Sequence, residues 1–128
     1  MGIEVTWDND EKTIIHYYYG KNWSWEDFRQ AGEISNAMAV EVHHTVDIIA
    51  DFLDGSPPPI GALGRFKNAQ ESMPENIKSI TVVGGGTFIN ALVGMFSRLY
   101  RPLGEQLLIA KSLNEARDKI NQKRGYSP

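Results

Sequence analysis

The run VDIIADF, Val46 to Phe52, is apolar except for Asp47 and Asp51, and a loop holding three consecutive prolines, Pro57 to Pro59, follows closely. A strand of this composition does not suit a wet sheet edge. It needs cover on both faces, as a central strand of a parallel sheet has. The chain on either side of it must therefore supply further strands and the helices that shield them.

The flanking sequence has those periods. Ile3, Val5 and Trp7 alternate with polar residues, Asp8-Asn9-Asp10 reads as a turn, and Thr13 to Tyr19 is dense in β-branched and aromatic residues, which predicts a hairpin. Ser24 is placed to cap a helix with Glu26 and Asp27 in its first turn. Phe28, Ala31, Ile34 and Met38 mark its inner face, and it fades near Ala39 to Val42. After the prolines, Ile60, Leu63 and Phe66 predict a short helix, with Gly61 and Gly64 allowing close packing. Ile80 to Val83 reads as a buried strand ended by Gly84-Gly85-Gly86. Thr87 then caps an apolar helix that runs to about Tyr100, where Pro102 stops it. Leu107 to Ala110 is the last strand. Ser112 to Glu115 is a capping box that opens a final helix with Leu113, Ala116 and Ile120 inward. The predicted order is β-β-α-β-α-β-α-β-α in one α/β domain over residues 1–122. It carries a four- to five-stranded mixed sheet with helices mainly on one face, and residues 123–128 form a frayed tail.

Composition removes several function classes. There is no cysteine, which excludes disulfides, thiol catalysis and thiolate metal sites. A net charge of −3 gives nucleic acid and anionic membranes no electrostatic handle. The opening MGIEVTWDND lacks an apolar signal segment and no apolar run reaches membrane-spanning length, so a cytoplasmic protein without membrane insertion is expected.

Two segments carry a family resemblance. "IADFLDG" and "SPPPIGAL" occupy a strand end, loop and helix start, and "SITVVGGGTFINALVGMFSRLYRP…LLIAKSLNEARDKI" supplies two further strand–helix units. With the element order, they make the chain from Ile3 to Asn121 resemble the STAS domains of sulfate transporters and anti-sigma factor antagonists, closest to the stand-alone bacterial SpoIIAA-like members. The resemblance implies a regulatory protein-binding domain. In the antagonists a serine at the helix start is phosphorylated by a partner kinase. Aligning Gly61-Ala62-Leu63 with the family's G-x-L sets Pro57 and Pro58 where the serines stand, so the switch is absent and Ser56 is only a displaced neighbour. Proline suits a helix's first turn, where its missing N–H is not needed, and three in a row stiffen the loop from Asp54 through Ser56, Pro57, Pro58 and Pro59.

Other candidate sites are weighed on the same terms. Gly84, Gly85, Gly86 and Thr87 join a strand to a helix N-terminus, a geometry that can hold an anion, but the spacing matches neither dinucleotide nor P-loop patterns. Tight turn packing explains the glycines as well. His43 and His44 are adjacent and point opposite ways in extended chain, so with His16 they make no metal site, and no cofactor is expected. Asp51 is read as structural, bonding loop backbone. No nucleophile, base and acid share a defensible spacing, so no catalytic residue is assigned. Two apolar features remain as an interaction surface. Tyr18, Trp23 and Trp25 lie on and beside the hairpin. The helix after the glycines buries Phe88, Leu92, Met95, Phe96 and Leu99 in one stripe and leaves Ile89, Val93 and Tyr100, with Phe96 at the border, as a flank for a partner. The expectation is a non-enzymatic domain that binds a protein partner or itself as a homodimer. The alternative is a carrier for a small apolar ligand or an anion, and a weaker one is an enzyme using the Gly84–Gly86 turn.

Overall fold

The run that demanded cover receives it: all seven residues of Val46–Phe52 are buried. The computed structural model describes residues 2–125. They form β1 (Ile3–Trp7), β2 (Ile14–Tyr19), α1 (Trp25–Glu41), β3 (Val46–Phe52), α2 (Ala62–Glu71), β4 (Ile77–Gly84), α3 (Gly86–Leu99), a short α4 (Arg101–Gly104), β5 (Leu107–Ala110) and α5 (Leu113–Lys123). The five strands lie in the order β1-β2-β3-β4-β5, with β1 antiparallel to β2 and every other pair parallel. The chain is thus α/β with a mixed sheet, and β3 is its middle strand.

Strand alternation sorts the sheet into two faces. One carries Ile15, Tyr17 and Tyr19 of β2, Ile48, Ala50 and Phe52 of β3, and Val82 of β4, and it meets α1, α2 and α3. The other carries Ile14, Ile49, Val83 and Ala110 and meets α5 through Leu113, Ala116 and Ile120. Helix α1 begins as a full capping box. The Ser24 hydroxyl accepts from the Asp27 backbone N–H, and the Asp27 carboxylate accepts from Ser24 N–H. Its buried residues are small, namely Ala31, Ser35 and Ala39, while Ile34 is exposed rather than inward. Small residues on that face put the helix close to the sheet, and Ile34 falls off the narrow contact line.

Several helix starts differ from the expected ones. Helix α2 opens at Ala62 after Gly61, whose φ of 93° only glycine adopts readily. The prolines therefore precede the helix as extended loop instead of forming its first turn, and Ile60 is exposed. Gly64 meets no neighbouring atom, so it serves no close packing. Helix α3 is capped by Gly85, also left-handed, with Thr87 exposed inside its first turn rather than capping. Pro102 does not end this helix, which stops at Leu99. It lies at the start of α4, where its missing N–H costs nothing.

One of the two carboxylates in the middle strand is neutralised by the far end of the chain. The buried Asp47 carboxylate accepts from the Ser79 hydroxyl at 2.5 Å and from Arg124 Nε at 2.6 Å, and Arg124 also donates to the Thr13 carbonyl. Arg124 caps α5, so the tail is pinned at a residue where fraying was expected; residues 126–128 lie outside the described residues. About two turns earlier on α5, Arg117 makes a two-pronged bond to Asp8 of the hairpin turn, at 2.9 Å on each side. Replacing Arg124 with Met leaves Asp47 buried beside a single hydroxyl and should lower the unfolding free energy by about 3–5 kcal/mol. Urea denaturation measures this, and a loss below about 1 kcal/mol, the scale of an exposed ion pair, would show that Asp47 does not depend on Arg124.

Candidate functional site

The loop expected to matter is fastened by the two tryptophans before and at the start of α1. Trp23 Nε1 donates to the Ser56 carbonyl at 3.0 Å and Trp25 Nε1 to the Ile60 carbonyl at 3.0 Å. The Ser56 hydroxyl accepts from Asn22 N–H at 2.9 Å, and Ser56 N–H donates to the Gly20 carbonyl. Pro58 is buried, and a side chain at Gly55 would run into the Tyr19 carbonyl at 2.8 Å. Trp23 is itself buried, packed edge-on against Tyr19 at 5.1 Å, so it is a core anchor and not the exposed contact expected of it.

Beyond this anchor α1, α2, α3 and the sheet surround an apolar cavity of about 690 Å³ that opens at its rim. Its floor is Ile48, Ala50 and Val82, and its walls include Phe28 of α1, Phe66 of α2 and Val93 of α3. The space follows from residue size. Gly32, Ala50 and Ala69 line it where larger side chains would fill it, and a Cβ at Gly32 would meet nothing within 4 Å. Trp25, Phe28 and Phe66 form a triangle of edge-to-face contacts, 5.3 to 5.5 Å between ring centres, which joins α1 to α2 beside the cavity.

Helix α3 is rotated about its axis from the expected phase: Leu92 and Phe96 face inward as expected, but the rest of the expected stripe does not. Ile89 and Phe96 are buried and line the cavity with Val93, whereas Phe88, Met95 and Leu99 are exposed. The flank read as a partner surface is therefore an inner wall. The cause is local: a side chain at Gly85 would lie 2.2 Å from Ile89 Cγ1, so the bare glycine cap lets Ile89 fold under the turn and fixes the helix phase. Tyr100 is half-buried, edge-on to Phe96 at 5.1 Å. The glycine turn has a structural reason of its own, since Gly84, Gly85 and Gly86 all have positive φ.

The cavity rim is charged. On α1, Arg29 is held between Glu26 and Glu33, and this pairing keeps the Glu26 carboxyl below its ordinary range and raises the Arg29 guanidinium. On α2, Arg65 stacks over the Trp25 ring at 5.1 Å, and it makes no ion pair among the described residues. Asn36 and Asn68 add neutral polar groups. Deeper in, burial pushes the Tyr17 hydroxyl up to about 12 and raises that of Tyr19 well above its ordinary value. The other sheet face keeps the remaining polar residues. His16 pairs with Asp51 at 2.9 Å, Asp51 also accepts from Leu53 N–H, and the Tyr18 hydroxyl donates to Asp54 at 3.0 Å. Asp51 thus bonds loop backbone as expected, while Tyr18 lies apart from the cavity. His44 bonds the Lys12 carbonyl. Sequence reasoning missed Gly32, Arg65 and Phe66 as site residues; the glycine in the middle of a helical pattern was the available signal.

A scan against protein-family models, a search of curated proteins and a search of solved structures each return no match.

The raised Tyr17 hydroxyl has a consequence for stability. An unfolded tyrosine gives up its proton near 10.0, while folded Tyr17 keeps it to about 12, so the folded state binds more protons in between. Stability from this group is complete below pH 10 and is lost as pH rises through 12. Chemical unfolding across that window should show a smaller fall for Tyr17→Phe than for the parent protein. An identical fall in both would remove Tyr17 as the cause.

Proposed function

We propose that the protein is a non-enzymatic STAS-like domain that binds a small apolar ligand in the cavity between α1, α2, α3 and the sheet. The carrying observation is the cavity itself. Its volume falls within the range of roughly 300–1,000 Å³ that encloses single small ligands, and its interior is aromatic and aliphatic with few polar groups. The rim carboxylates Glu26 and Glu33 are both engaged by Arg29, which supports binding over acid–base chemistry. The sequential strand order and the strand–loop–helix unit around Pro57 and Pro58 support the STAS-like reading. In that reading a ligand beneath α2 takes the regulatory place that the family's phosphoserine holds, because the loop before α2 is bonded by Trp25, which also lines the cavity.

Gly32→Leu tests this directly. Replacing a mid-helix glycine whose Cβ meets nothing should raise stability by about 0.5–1 kcal/mol, while the new side chain occupies the ligand's space. N-phenyl-1-naphthylamine, a neutral apolar fluorophore, should brighten saturably with the parent protein and not with the variant. Saturable brightening that persists in Gly32→Leu would place binding elsewhere.

A second reading, a self-contact, rests on the outward stripe of α3, where Phe88, Met95 and Leu99 are 53%, 44% and 59% exposed. If this stripe joins two copies, Leu99→Glu should stay folded and shift the light-scattering mass from dimer to monomer. A parent protein that already runs as a monomer at high concentration removes the homodimer.

A further inference from the structure

Resting on the ligand-binding reading, we infer that the cavity's occupant is a single-chain amphiphile with one carboxylate head, and that Arg65 receives this head at the rim. The charges at the rim are unequal in what they have left to give. Glu26 accepts from both Arg29 and Gln30, and Glu33 accepts from Arg29, so the acidic side is already occupied. Arg29 is spent on those two carboxylates. Lys67, the neighbouring cation on α2, bonds Glu71. Arg65 alone lines the cavity with a guanidinium that has neither an ion pair nor a hydrogen bond among the described residues.

Its placement is fixed without using its donors. Arg65 is exposed, and its guanidinium carbon lies 5.1 Å from the Trp25 ring centre, a cation–π contact that consumes none of its N–H donors. Gly61 contributes to the same opening. Even a Cβ there would be 3.8 Å from Arg65 Nε, so bare backbone leaves room beside the cation. Asn68, one turn further along α2, also lines the cavity and can add an amide donor. A flat two-oxygen anion matches the forked donor geometry of arginine, and one unpaired guanidinium offsets one negative charge. Behind this rim the wall turns apolar through Phe66, Val93 and the floor at Ala50, which suits a hydrocarbon tail.

Displacement of N-phenyl-1-naphthylamine separates the inference from the reading beneath it. Dodecanoate, dodecanol and dodecylammonium would compete at neutral pH, below their micelle concentrations. A charge-assisted bond of about 1.4 kcal/mol corresponds to about a tenfold preference, so dodecanoate should displace the probe at about one-tenth the concentration of dodecanol. Arg65→Gln should erase that preference and leave dodecanol unchanged, and Arg65→Lys should restore part of it. Equal potency of acid and alcohol, a preference that survives Arg65→Gln, or dodecylammonium as the best competitor would each overturn the carboxylate assignment with the cavity reading intact. No probe binding by the folded parent protein would remove both.

Discussion

Two carboxylates buried in the middle strand set the terms on which this sheet can form. Asp47 and Asp51 are 2% and 3% exposed, and an unpaired charge at such depth would destabilise the fold by several kcal/mol. Each is answered from a different direction. Asp47 draws Arg124 from the last helix and Ser79 from the next strand, while Asp51 draws His16 from the previous strand and the backbone of its own loop. The polar face of the sheet is thereby closed by α5 and by cross-strand pairs. The opposite face, carrying Ile48, Ala50, Phe52 and the buried Tyr17 and Tyr19 rings, is left to the helices α1, α2 and α3.

That second face is where packing is incomplete. Helix α1 approaches closely because its inner residues are small. Helix α2 meets α1 through rings instead, so the aromatic triangle of Trp25, Phe28 and Phe66 bridges a gap that small residues at Gly32, Ala50 and Ala69 leave open. Well-packed interiors leave few voids larger than a water molecule. A space this large, with apolar lining and a charged rim, is the feature from which the ligand-binding proposal grows. The proline loop belongs to the same construction, since Trp25, which bonds the Ile60 carbonyl at its end, also lines the cavity.

The order of elements along the chain, the central position of β3 and the face of α5 were legible in the sequence, because period-two alternation, the continuous apolar run from Val46 to Phe52 and the Leu113, Ala116, Ile120 spacing have few solutions. The phase of α3 was not. Both arcs of that helix are apolar, and a period of 3.6 residues does not say which one faces inward; the left-handed Gly85 and its fit against Ile89 decide it. Arg124 was hidden for a different reason. Its partner Asp47 lies far away in the chain, and nothing local distinguishes a pinned terminal arginine from a solvated one. The cavity was anticipated only as an alternative, since a void is a property of three helices and a sheet together and is written in no single segment.

Xenon tests the apolar, ligand-accessible space over the β3 face most directly, because apolar cavities bind xenon without needing any particular polar partner. Amide spectra of the isotope-labelled protein under rising xenon pressure should show saturable shifts at Gly32, Ala50, Ala69 and Val93. The amides of α5, on the other side of the sheet, should stay still. Small shifts that grow linearly with pressure and scatter over the whole surface would mean that the helices close onto the sheet in solution and that no such cavity exists.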